Sequence, residues 1–187
     1  MRYLKTKKII SQNKLTEIAH AQGGLYVFKT DARNQFHPFE LLNFTSNPKL
    51  IVPLRRTSRV TEKLLDQHGF NIAGAHYVDI LSKHINSGLE HKRTTYLHKI
   101  TLNDIHEAIV DKVTELGPGP KTLFIEDLHS LIPHHGELKT RRFIDHLTKD
   151  MAEHRTKMVV LTNHSRLPKE VSKFLLSNSQ EMLEIPN

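Results

Sequence analysis

Residues 121–132, KTLFIEDLHSLI, constrain the fold of this chain more than any other stretch. The run 122–125 is apolar and β-prone, and it ends directly in two carboxylates, Glu126 and Asp127. Apolar spacing then resumes at Leu128, Leu131 and Ile132. A short continuous apolar run bounded by polar residues is the pattern of a strand buried on both faces, as in a parallel sheet. Ligands of open parallel sheets gather outside the carboxyl ends of the strands, so acid at that position marks the edge where chemistry is to be sought.

The rest of the chain alternates strands and helices around this run. Residues 1–22 read as a basic lead-in and a helix with Leu15, Ile18 and Ala19 on one face, ended by Gly23 and Gly24. Strands are predicted at 25–29, 49–54, 76–81, 122–125, 157–161 and 181–185. Pro38 suits the first turn of a helix that turns Phe39, Leu41 and Leu42 inward. A helix after Ser58, the candidate N-cap, turns Val60, Leu64 and Leu65 inward and stops at Gly69. Thr101 and Asp104 form a capping-box-like start for a helix with apolar residues at 102, 105, 109, 113 and 116. Further helices are predicted near 138–153 and 168–176, and the polar stretch 82–99 carries little periodicity. This order predicts an α/β fold, three layers α/β/α, with a mainly parallel sheet and right-handed connections. The whole of 1–187 is expected to form one domain.

Composition narrows the function classes. The hydrophobic fraction is 37% with 25% charged residues, which suits a globular chain and argues against wholesale disorder. Cysteine is absent, which excludes disulfides, thiolate zinc sites and a thiol nucleophile, and fits a cytoplasmic (or nuclear) setting. No apolar window approaches the ~18 residues of a membrane span, and the N-terminus lacks a signal-peptide core, so no membrane partner is expected. A formal net charge of +7 favours an acidic partner.

The pieces IVPLRRTSRVTEKLLDQHGF then HYVDIL, and TLFIEDLHSLI then a helix and MVVLTNHS, resemble in their order the RecA-like ATPase core, particularly its KaiC-like and archaeal recombinase-paralogue branches. The resemblance spans roughly residues 22–185 and implies a RecA-like sheet. It also implies a phosphate-binding loop within 28–44, where a Gly-rich turn should wrap phosphate with backbone amides. No glycine lies between Lys29 and Phe44, and the lysine and hydroxyl positions fall near His37 and Pro38. After the second strand the family places paired acids that orient the attacking water; this chain has Arg55 and Arg56. Glu126 matches the family's metal-linked acid. The resemblance therefore implies a RecA-like domain with a degenerate phosphate loop, in which ATP hydrolysis is not expected. Residues 25–44 and 122–127 are expected to be adjacent parallel elements.

The strand ends gather a candidate ligand edge of Asp31, His37, Arg55, Arg56, Asp79, Glu126, Asp127, Asn163 and His164. At this edge Glu126 and Asp127 have two readings: metal ligands, or structural groups of which one caps the following turn or pairs with Arg55 or Arg56; the structural pairing is favoured. Asp79 reads as structural. A second, basic set, Arg59, Lys63, Lys139, Arg141, Arg142, Arg166, Lys169 and Lys173, suits nucleic-acid backbone, although the loops after the fourth and fifth strands carry no aromatic residue for base stacking. The spacing of His129, His134 and His135 matches no zinc motif, no nucleophile elbow is present, and no catalytic residue, metal or cofactor is assigned. Two functions remain in view: a non-catalytic regulatory or scaffold partner of an ATPase or signalling assembly, with a RecA-like paralogue or another copy of itself as protein partner; or a nucleic-acid-binding accessory module. Nucleotide binding without hydrolysis is a further alternative.

Overall fold

A computed structural model describes residues 10–30, 36–84, 93–163 and 166–185. Its centre is a sheet of seven strands: β1 (Leu25–Thr30), β2 (Lys49–Pro53), β3 (His76–Asp79), β4 (Thr94–Tyr96), β5 (Lys121–Glu126), β6 (Thr156–Asn163) and β7 (Glu181–Glu184). They lie in the order β4-β3-β2-β5-β6-β1-β7, and every pairing is parallel. Parallel neighbours need crossovers, which the helices supply.

β2 and β5 are buried at every position, as strands covered on both faces must be. The two-residue period divides their side chains between two cores. Leu123 and Ile125 of β5 pack with Ile105 and Ile109 of α4 (Leu102–Glu115), Ile144 and Leu147 of α6 (Glu137–Glu153), and Val171 and Leu175 of α7 (Lys169–Asn178). Phe124 faces the other way, towards Leu15 and Ile18 of α1 (Gln12–His20), Leu41 and Leu42 of α2 (Leu41–Phe44), and Leu65 of α3 (Ser58–Gln67). The layers are therefore helix, sheet, helix. A short α5 (Ile132–His135) joins β5 to α6.

Most boundaries follow local chemistry. Thr101 accepts from the Asp104 amide at 3.1 Å and starts α4. Pro38 opens the 3-10 helix His37–Glu40, where its missing N–H leaves no bond unmade. Gly69, at φ 71°, adopts the left-handed turn that ends α3. At the amino ends of the strands, buried Lys157 donates to the carbonyls of Ile18 and Ala19 at 2.8 and 2.7 Å, which fixes the C-terminus of α1 on the sheet.

Three expectations are corrected. Residues 25–44 and 122–127 are expected to be adjacent parallel elements, but their strands β1 and β5 are not neighbours, because the α6 crossover returns β6 into the position between β5 and β1. Two strand spacings, about 10 Å, separate them; the contact between the two segments is instead Phe39 stacked on Phe124, centroids 5.6 Å apart. The N-cap of α3 is Thr57, which accepts from the Val60 amide, while the Ser58 amide is taken by Asp79. Val60 is 47% exposed and Leu64 half-buried; Thr61, one position on, takes the inward place beside Glu126. The stretch 82–99 contains the edge strand β4, only three residues long and half-buried, too short to leave an alternation.

Candidate functional site

The register of β2 on β5 pairs Pro53 with Glu126, and the Leu54 amide donates to the Glu126 carbonyl at 3.3 Å. The two residues after β2 are thereby delivered beside the two acids that end β5. Arg56 Nη2 lies 2.8 Å from Glu126 Oε1, and Arg55 Nε lies 3.2 Å from Asp127 Oδ2. The inner pair is nearly dry, with side chains 13% and 7% exposed, whereas Arg55 is 48% exposed. Thr61 Oγ1 reaches the second oxygen of Glu126 at 3.5 Å. Burial pushes the Glu126 carboxyl above its ordinary value, against the pull of the Arg56 guanidinium. The other side of Arg56 faces Phe36, whose ring centroid is 5.4 Å away.

Asp127 sits in the left-handed region, φ 68° and ψ 48°. That turn brings its Oδ1 to 2.6 Å from Nδ1 of His129 while Oδ2 faces Arg55. Burial lowers the His129 pKa, and the Asp127 carboxylate pulls the other way. Asp79, wholly buried at the end of β3, accepts from the Ser58 amide and the Ser82 hydroxyl at 2.6 Å, from the Ser82 amide at 2.8 Å and from the Leu81 amide at 2.9 Å. It ties β3 to the start of α3 and has no bonding capacity left for a ligand.

The remaining edge residues are only partly drawn together. Asn163 ends β6 in register with Thr30 of β1. His37 lies 3.7 Å from Glu40 within its own turn. Asp31 and His164 lie outside the described residues. The basic set is exposed on separate elements: Arg59 and Lys63 on α3, Lys139, Arg141 and Arg142 on α6, Arg166 in the loop after β6, and Lys169 and Lys173 on α7. The structure does bring the α6 and α7 groups together, with Arg141 5.8 Å from the ring centroid of Phe174. The sequence reading missed this aromatic partner, and Phe36 beside Arg56. Neither leaves a signal, since each contact joins elements far apart in the chain.

No family model matches the chain, and no curated protein matches it. Solved structures do. An uncharacterized protein from Pyrococcus horikoshii, crystallised with an unknown peptide, superposes with a TM-score of 0.66 at 12% identity, covering 86% of this chain and 76% of that one. A KaiC-like protein from the same organism gives 0.58 at 14%, covering 87% and 73%. The flagellar accessory protein FlaH of Methanocaldococcus jannaschii gives 0.58 at 12%, covering 93% and 77%.

The fold is RecA-like.

RecA-like folds that bind nucleotide do so with Mg²⁺, and the residues at the end of β5 do not fit that metal. Mg²⁺ takes ionised, open oxygen ligands in octahedral array and keeps several of its waters. Glu126 is buried, and both of its oxygens already face donors, Arg56 and Thr61. Among the described residues no group of three or more His, Asp or Glu side chains converges to hold a metal ion. No helix of the described residues is long and apolar enough to cross a membrane.

Proposed function

We propose that this chain is a non-catalytic RecA-like domain that acts through contact, as a regulatory or scaffold partner of an ATPase or signalling assembly. The observation that carries the reading is the pairing of Arg55 and Arg56 with Asp127 and Glu126. Where hydrolysis needs a carboxylate to orient water, the chain after β2 carries two cations, folded down onto the acids that would have bound metal. With Glu126 paired to Arg56, and Asp127 held beside Arg55 and His129, neither acid stands as an open base. The lack of glycine from residue 30 to 43 supports the same reading, because a turn without glycine does not readily turn several amides towards one anion. Two structural relatives lend support of a different kind: one is named a flagellar accessory protein and another was solved with a peptide bound.

The test is turnover and association measured together. The purified chain with ATP and Mg²⁺ is expected to release no phosphate above a no-protein blank. In light scattering or cross-linking it is expected to associate, with itself or with an active RecA-like partner. Sustained phosphate release that Glu126→Gln abolishes would overturn the proposal.

A second reading, a nucleic-acid-binding accessory module, is favoured by the convergence of Arg141 and Phe174, which joins the α6 and α7 basic residues into one surface with a partly buried ring. Such binding would fall steeply with salt and weaken in Lys139→Glu, Arg142→Glu and Lys169→Glu. A mobility-shift series with single-stranded and duplex oligonucleotides that shows no complex at low salt removes it.

A further inference from the structure

The pairing at the end of β5 does more than remove a base; it fills the place of a cation. Glu126 is the last residue of a strand buried at every position, and its carboxylate lies between Arg56, which follows β2, and Thr61 of α3. An acid in that position is costly to keep unless a positive charge faces it. In this chain the charge is Arg56, whose guanidinium is held from two sides: Glu126 Oε1 at 2.8 Å and the ring of Phe36 at 5.4 Å. Thr61 Oγ1 approaches the second carboxylate oxygen. Arg55 repeats the arrangement one residue out, on Asp127. A flat guanidinium fork bonds a carboxylate directly and needs no retained water, so it suits this dry edge better than a hydrated divalent ion does.

We infer that Arg56 is a resident cation occupying the position at Glu126 that a divalent metal would take, so that this edge is closed to Mg²⁺ and Mn²⁺ while the arginine stays. This deepens the reading of the preceding subsection and rests on it only for the choice of site. Any anion drawn to this end of the sheet is received without a bridging metal.

The experiment follows free Mn²⁺ by electron paramagnetic resonance during titration with the intact chain, in four forms: wild type, Glu126→Gln, Arg56→Gln and the double variant. Thermal melts report that each form is folded. Wild type and Glu126→Gln are expected to give the same titration, because weak binding elsewhere does not involve Glu126. Arg56→Gln is expected to tighten Mn²⁺ binding by at least about tenfold, and the double variant to lose that gain. A wild-type Mn²⁺ site that Glu126→Gln removes overturns the inference, as does a folded Arg56→Gln that binds no better than wild type. Should Arg56→Gln fail to fold, the comparison of wild type with Glu126→Gln still decides. Phosphate release and Mn²⁺ binding can fail separately. A hydrolytic chain that holds its metal elsewhere would release phosphate and yet give Mn²⁺ titrations indifferent to Glu126→Gln.

Discussion

Lys157 Nζ lies 2.8 Å from the carbonyl oxygen of Ile18, across the whole of the intervening sequence, and the same nitrogen donates to Ala19 at 2.7 Å. Those carbonyls close the last turn of α1, where helix carbonyls run short of donors; Ile18 also accepts from the Ala21 amide at 3.2 Å. Lys157→Met keeps most of the buried volume and takes a donor from both carbonyls, so it is expected to cost about 2 kcal/mol and to speed amide exchange in α1 before the rest of the fold. Burial pushes the Lys157 pKa down from 10.5 to about 8. Between those two values the unfolded chain keeps a proton that the folded chain has released, so this lysine makes stability rise with pH, by up to about 1.4 kcal/mol per unit. Urea unfolding at pH 7.5, 8.5 and 9.5 is expected to show a steeper rise for wild type than for Lys157→Met. Parallel profiles would mean that Lys157 does not lose its proton in the folded chain over this range.

Asp79 gives the opposite window. Burial alone would push its carboxyl up, but the hydrogen bonds from Ser58 and Ser82 outweigh it and hold the pKa below the ordinary 3.8. A depressed carboxyl contributes stability above its unfolded value and loses it as the pH falls through the folded one. Asp79→Asn replaces an acceptor with an amide donor among four existing donors and is expected to cost about 2–4 kcal/mol at neutral pH. The gap between variant and wild type is expected to narrow below pH 4, read by acid unfolding in circular dichroism. A gap that stays constant to pH 2 would show that the Asp79 charge contributes nothing.

Phe39 carries the contact that the sequence reading assigned to direct strand pairing. It stacks on Phe124 at 5.6 Å and is fully buried, as is Phe124. Phe39→Ala is expected to cost about 3–5 kcal/mol, and Phe39→Leu clearly less. Equal losses for the two variants, measured by chemical denaturation, would place the energy in the 3-10 turn rather than in ring packing.

What was legible in the sequence divides along the same line. The apolar faces of α1, α4 and α6 could be read because a helix repeats its burial every few residues, and Leu15, Ile18, Ile105, Ile109, Phe143 and Leu147 are all buried as their spacing indicates. The ion pairs of Arg55 and Arg56 with Asp127 and Glu126 could also be read, since parallel neighbours deliver their ends to one edge. Strand order could not. Nothing local states that β6 enters between β5 and β1, and a buried strand pattern is the same for any neighbour. Phe36 beside Arg56, and Lys157 beneath α1, were invisible for the same reason: each joins residues whose separation is set by topology.

Asp127 combines an unusual backbone with two side-chain partners, and the two can be separated by substitution. Its φ of 68° is one that Asp and Asn tolerate and Ala tolerates poorly. Asp127→Ala therefore loses the contacts to Arg55 and His129 and adds about 1 kcal/mol of backbone strain. Asp127→Asn loses the charge alone, and Asp127→Gly loses the contacts while relieving the backbone. Both are expected to unfold at higher denaturant than Asp127→Ala. The histidine supplies an independent readout. Burial lowers the His129 pKa and the Asp127 carboxylate, 2.6 Å from Nδ1, opposes that lowering. Removing the carboxylate leaves burial unopposed, with Arg166 and Arg55 adding to it. The imidazole of Asp127→Asn is thus expected to titrate at lower pH than in wild type, followed by nuclear magnetic resonance of the ring protons. A titration that moves upward would mean that Asp127 holds His129 by position and not by charge.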